Sequence, residues 1–358
     1  MAYNRKLLYT KTIPSWNTPG GNLGSYTEDG NPITPIQLSA TNDPESEITY
    51  SITSGSLPPG LSMSSSGLIS GTLSGNTENE TVFFSITALD AEGESTEREF
   101  NIVLSGFPYS IDYLIAAGGG GGGNDGYYGQ GGAGGGAGGL LISTINNVDP
   151  QVANVYTITV GAGGLGGVQH ASGLNGNNSS ISGVATATGG GGGGGWNDKP
   201  GKNGGSGGGG SNGGSFGTGI SGQGNNGATT SSNLSGGGGG AGAAASAQTG
   251  GIGLATTIIS ETIATNYSVG EVSSGSVYFS GGGAGRSGGD GLGKGVNSGG
   301  GGNGSQSYNT RAESGQSGVV ILRMPSGGYS GVTTGSPQVV VDGSDTILIY
   351  TGSGTYTG

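Results

Sequence analysis

Two textures divide the chain. From about Ser15 to residue 106, apolar residues alternate with polar or small ones in short runs, at 48–52, 82–89 and 100–104. Successive side chains of an extended strand point to opposite faces, so this alternation predicts half-buried β-strands. Clusters of Gly, Pro, Asn and Asp punctuate the runs and no helical period intervenes, which predicts a β-sandwich over 15–106. Beyond residue 106 the apolar residues come in bursts that run straight into glycine: 113–117 into 118–123, 156–160 into 161–167, 184–188 into 189–195, and 276–280 into 281–283. The tract starts lie 43, 28 and 92 residues apart, so no fixed-period solenoid is implied. The expectation is a base of strands at one end, glycine segments projecting from it, and loops joining them at the far end. Residues 317–325 and 346–350 read as closing strands. Four segments result: an N-terminal arm (1–14), the sandwich (15–106), a glycine-rich domain (107–325) and a C-terminal β segment (326–358). The fold class is all-β.

Composition changes the meaning of the second texture. Eleven of the 90 glycines precede Gly118, leaving 79 among the last 241 residues. Glycine has no side chain to bury and loses the most backbone freedom on ordering, so order there must come from the main chain itself. A collagen helix needs Gly at every third position and abundant proline; the chain has 12 prolines and no such register. The fitting alternative is a stack of extended polyglycine-II-type helices, three residues per turn, that satisfy one another's N–H and C=O groups laterally. Each such bond contributes only about 0.5–1.5 kcal/mol net, so many must act together.

Charge and cysteine usage exclude several classes. The net charge of −12 is a poor match for a nucleic-acid backbone, and the acid is concentrated in front, with 13 Asp and Glu against 4 Lys and Arg in residues 1–117. The absence of cysteine removes disulfides and thiolate chemistry. No apolar run is long enough to span a bilayer, and the first residues lack the apolar core of a signal peptide.

Within the first texture, residues 57–62 (Leu-Pro-Pro-Gly-Leu-Ser) followed by 67–72 (Gly-Leu-Ile-Ser-Gly-Thr) resemble the signature of immunoglobulin-like and cadherin-like modules of bacterial and phage surface proteins. The resemblance spans the whole segment and implies that the prolines turn the chain and Leu61 fills the core. The family's usual proline after the Thr is here Leu73. In the second texture, the strand-to-glycine junctions, residues 158–164 and the terminal 318–323 resemble glycine-rich modules of tailed-phage fibre proteins and the receptor-recognising adhesins of T-even-like phages. That resemblance covers roughly 107–325. It implies a virion protein whose inter-tract loops bind a host.

Glycine abundance creates false catalytic matches. G-x-G-x-x-G recurs without a βαβ context. Residues 288–295 nearly spell a phosphate-binding loop, but Gly295 stands where Ser or Thr would hold Mg²⁺. Residues 120–127 fit one copy of a calcium nonapeptide whose sites need tandem copies. His170, the one histidine, has no nucleophile elbow beside it and reads as a solvent loop residue. Glu261, Glu271 and Asp290 are the available glycosidase carboxylates, and nothing in the sequence pairs them. Glu28, Asp43, Glu45, Asp90 and Glu92 lack the acidic motifs of a cadherin calcium site and read as a solvated face. The expectation is therefore no enzyme, no cofactor and no metal, with a polysaccharide depolymerase as an alternative.

The remaining signal is aromatic. Tyr127, Tyr128, Trp196, Phe216 and Tyr308, with Asn197, Asp198 and Lys199, interrupt glycine where no apolar core holds them. Such residues on a rigid scaffold are material for a binding tip, or for the flanks and oligomer contacts of the lattice. Taken together these readings point to a tail fibre or tail-tip adhesin in the phage virion. It would join other tail proteins through its N-terminal region and bind a host glycan or outer-membrane protein, as a monomer or homo-oligomer. A structural decoration or filament protein is the alternative.

Overall fold

The computed structural model describes residues 11–27, 31–42, 46–74, 80–105, 108–124, 131–149, 152–196, 199–231, 234–305, 307 and 309–358. The chain divides into two compact units, Met1–Pro108 with Asp149–Ala153, and Tyr109–Val148 with Asn154–Gly358.

The first unit is a β-sandwich. One sheet runs Gly21–Thr27, Ser95–Ser105, Glu80–Asp90, Ile48–Gly55; the facing sheet runs Ile36–Gln37, Leu68–Gly71, Leu61–Met63. Alternation decides which residues are inside: Phe84, Ile86 and Ala88 on one strand and Phe100, Ile102 and Leu104 on the next are all buried, while the residues between them are half-buried or exposed. Trp16 closes the core edge-on to Phe100, ring centroids 5.3 Å apart. Leu61 packs half-buried against this core, whereas Ile69 and Leu73 are buried within it.

The second unit has two five-stranded antiparallel sheets. The first is ordered Leu140–Val148, Tyr109–Ala116, Val319–Pro325, Asp345–Tyr350, Gln338–Asp342; the second Ala185–Ala187, Ser179–Ile181, Val155–Thr159, Gly354–Thr357, Thr333–Thr334. Residues 326–358 thus enter both sheets. The first sheet is covered on both faces. Tyr113, Ile115, Val320, Leu322, Leu348 and Tyr350 pack with Ile158, Ile181 and Tyr356. Leu114, Val319, Ile321, Ile347 and Ile349 pack with Ile263, Val277 and Phe279. Burial on both faces explains why 319–322 and 347–350 are unbroken apolar runs rather than alternating ones.

Of the second cover, the sequence predicts only the strand at 276–280. That cover comprises a three-stranded sheet (Leu254–Thr256, Ser276–Phe279, Glu271–Ser273) and a helix, Glu261–Tyr267. The Ser260 hydroxyl caps the helix by accepting from the Ile263 N–H, Glu261 stands in the first turn, and Ser268 ends it with φ 52°. Seven residues of modest helix formers give little period to read, so packing of Ile263 and Ala264 sets the conformation.

The glycine tracts are held laterally. In tract 118–124 the N–H groups of Gly118, Gly121 and Asn124 donate to Asn177, Leu174 and Ala171; those of Gly119 and Gly122 to Gln316 and Glu313; those of Gly120 and Gly123 to Gly136 and Ala133. Its carbonyls accept from Gly190 and Gly193, from Gly164 and Gly167, and from Gly302 and Ser305. Each direction recurs every third residue, so one tract meets six neighbouring segments and both main-chain groups of residues 118–123 are satisfied. Where no neighbouring tract exists, side chains take its place. Gly189, Gly192 and Gly195 donate to Asn178 Oδ1, Asn175 Oδ1 and Ser172 Oγ, a ladder on the same three-residue spacing.

Candidate functional site

The strands feed the tracts at one end, and the tracts finish at the other in a layer of buried polar residues. Asn124 follows directly on six glycines and is fully buried. Its Nδ2 donates to the carbonyls of Ser307 (3.0 Å) and Thr310 (2.6 Å), and its Oδ1 accepts from the His170 N–H (3.2 Å). One carboxamide thereby joins the end of tract 118–123 to two loop segments. Ser211 and Ser235, also fully buried, are bridged to each other, and their hydroxyls donate to the carbonyls of Gly195 and Gly131.

This layer sets the aromatic group. Trp196 leaves tract 189–195 directly after Gly195 and packs against His170, ring centroids 4.7 Å apart at 40°. His170 and the preceding Gln169 sit at positive φ, 71° and 45°, which folds the loop back beneath the indole. Lys199 Nζ donates to the His170 carbonyl at 3.2 Å, while the Lys199 carbonyl accepts from the Ser211 N–H at 3.1 Å. Trp196 is half-buried and Lys199 exposed.

Of the residues singled out in the sequence, Trp196 and Lys199 are therefore brought together, through His170. Phe216 is exposed, on the chain between Ser211 and Gly217, and no ring contact joins it to Trp196 among the described residues. Tyr127, Tyr128, Asn197, Asp198 and Tyr308 lie outside the described residues. His170 corrects the sequence reading: it is half-buried against an indole rather than a free solvent residue. Neither it nor Asn124 is assigned to the aromatic group by the sequence, because the contacts that matter link residues far apart in the chain; the one local signal is a polar residue ending a glycine run.

The carboxylates considered for catalysis have other occupations. Glu271 Oε2 accepts from the Gly293 and Lys294 N–H groups at 2.7 and 2.8 Å, and Asp290 pairs with Lys294 at 3.2 Å. In the sandwich, Asp90 accepts from Glu94 N–H (2.8 Å), Glu92 N–H (3.0 Å) and Asn42 Nδ2 (3.2 Å). Burial favours the neutral acid, but these donors prevail and hold Asp90 below the usual carboxylate range. Glu28, Asp43 and Glu45 lie outside the described residues.

Comparison with known proteins fits the two units. Residues 21–105 match the family described as "Putative Ig domain", which agrees with the sandwich topology. No curated protein sequence matches the chain. Similar solved structures include Drosophila N-cadherin EC1-4 (18% identity over 26% of this chain and 25% of that one, TM-score 0.24). Others are the extracellular cadherin domains 1-4 of protocadherin gamma B7 (19%, 29% and 27%, TM-score 0.25) and the tandem Ig repeats of Dlar (13%, 40% and 70%, TM-score 0.18). The chain spans about a quarter of the length of the two cadherin structures. Residues 94–325 match the glycine-rich domain family, and with that span the chain belongs to this family.

Proposed function

We propose that this protein is a non-enzymatic adhesin of a tailed-phage virion, a tail fibre or tail-tip protein that binds a host-surface glycan or outer-membrane protein. One observation carries the reading: the loops of a main-chain-bonded scaffold converge on a layer organised by Asn124, and Trp196 stands there against His170 with Lys199 beside it. A rigid indole and imidazole offer stacking area at small entropic cost, and an exposed ammonium offers a donor to hydroxyl or anionic groups. The three-residue recurrence of lateral bonds supports reading the tracts as polyglycine-II helices, a base that does not itself compete for ligand. In this reading residues 1–14 dock to the tail and the Ig-like module is a spacer.

The experiment is binding of purified protein to bacterial cells that the wild type adsorbs to. Trp196→Ala with Tyr128→Ala is expected to lower affinity roughly thirtyfold or more while folding is kept. Unchanged adsorption by the folded double variant would remove the tip assignment. A structural role, as decoration or filament subunit, is favoured by a different observation. Leu165 and Leu174 are both more than half exposed, on adjacent segments joined by the Leu174 N–H to the Leu165 carbonyl, and exposed leucines so placed suit lattice contacts.

A further inference from the structure

The near-match to a phosphate-binding loop at 288–295 ends in a lysine whose surroundings are not those of an anion site. The Lys294 side chain is only 8% exposed. Its Nζ lies 2.5 Å from Asn303 Oδ1, 3.2 Å from Glu313 Oε2 and 3.2 Å from Asp290 Oδ1. Asn303 Oδ1 also accepts from the Ala284 backbone N–H at 2.8 Å. Two donors on one atom fix which end of the carboxamide is oxygen. The Glu313 carboxylate is itself fixed: its Oε2 accepts from the Asn303 N–H at 3.0 Å, and the Glu313 N–H donates to the Asn303 carbonyl at 3.1 Å. A buried amine, a polarised amide and a carboxylate touching the amine are thus held by three different segments of the lattice.

We propose that Lys294 and Asn303 form an intramolecular isopeptide bond, with Glu313 as the proton carrier. The ammonium gives one proton to Glu313, and the free amine electron pair attacks Asn303 Cγ. The C=O π pair moves onto Oδ1, where the Ala284 N–H stabilises the developing oxyanion. Glu313 delivers its proton to Nδ2 and takes a second one from Nζ. The oxygen pair re-forms C=O, the Cγ–Nδ2 bond breaks and ammonia leaves. Nζ ends with one hydrogen in a secondary amide, ammonia carries one former ammonium proton, and Glu313 ends as the neutral acid. No oxidant or co-reactant is needed. Fixed proximity replaces an activated acyl group, since the reacting side chains are pre-positioned nine residues apart in sequence. The product ties segment 288–295 covalently to tract 299–304, a lock suited to a scaffold otherwise held by many weak bonds.

Intact-mass spectrometry of the purified full chain tests this. The expected mass is one ammonia below the sequence mass, with trypsin failing to cleave after Lys294 and fragment ions linking it to Asn303. Lys294→Arg and Glu313→Gln are each expected to restore the full sequence mass. A succinimide at the Asn303–Gly304 junction would also lose ammonia, but it leaves Lys294 open to trypsin and persists in Lys294→Arg. That pattern, or a full sequence mass in folded wild-type protein, overturns the proposal and leaves Lys294 as an ion-paired side chain.

Discussion

A glycine inside the tracts is specified by the atom it lacks. A Cβ placed on Gly192 would stand 2.1 Å from the Gly173 carbonyl oxygen, and one on Gly193 2.1 Å from that of Ala133. Backbone cannot yield there without breaking lateral bonds on several sides. Gly192→Val is therefore expected to cost about 3 kcal/mol or more. Gly352→Val, where nothing lies within 4 Å, is expected to be close to neutral in the same thermal-unfolding assay. Not every interior position excludes a side chain: Ala133 and Ala137 are fully buried in tract 131–139, so the lattice holds methyl groups where its geometry leaves a gap.

Titratable residues set opposite pH limits. Asp90 is held below the ordinary carboxylate range, so its stabilisation is present above about pH 4 and is lost as pH falls. Thermal unfolding of the Ig-like module is expected to drop less on acidification in Asp90→Asn than in the wild type, where the charged form has more to lose. In the second unit, burial raises the phenols of Tyr109, Tyr156, Tyr350 and Tyr356 above their usual value. Folding favours the neutral phenol, so that stabilisation is complete below about pH 10 and is lost as pH rises through the elevated values. Absorbance titration is expected to show these tyrosines ionising together with unfolding; ionisation near pH 10 in folded protein would contradict the packing.

At the level of elements, local pattern carried far. Alternation located the sandwich strands, and apolar bursts located those feeding the tracts, because both signals depend only on which face a side chain takes. Leu61, expected to plug the core, lies half-buried at its margin while Ile69 is wholly inside it. Ile69→Ala is accordingly expected to cost about 2–5 kcal/mol and Leu61→Ala distinctly less, read as urea midpoints of the module. The edge ladder of Ser172, Asn175 and Asn178 was not read in advance, although its spacing of three is visible in the sequence. A capping role emerges only once the neighbouring tract is known to lack a partner on that side. Asn175→Leu leaves the Gly192 N–H without its acceptor and is expected to cost about 1–3 kcal/mol. The short helix and the strands Leu254–Thr256 and Glu271–Ser273 stayed hidden because tertiary packing, rather than period, determines them, whereas the apolar burst at 276–280 marks the strand between those two.

For the whole molecule, the two-part division into sandwich and strand-fed glycine region follows from texture alone. The end proposed for binding was legible only in part: an aromatic ending a glycine run marks Trp196. Its partner His170 and the organiser Asn124 depend on chain segments that meet only after the tracts have packed. Main-chain bonds between tracts, recurring every third residue, make a scaffold of glycine-rich chain. Amide hydrogen exchange on the intact protein reads those bonds residue by residue. Residues 118–123 and 190–194 are expected to exchange as slowly as the buried strand residues 319–322, because both are released only by opening of the unit. Exchange of the glycine amides at the rate of unstructured chain, with the strands still protected, would contradict this bonding.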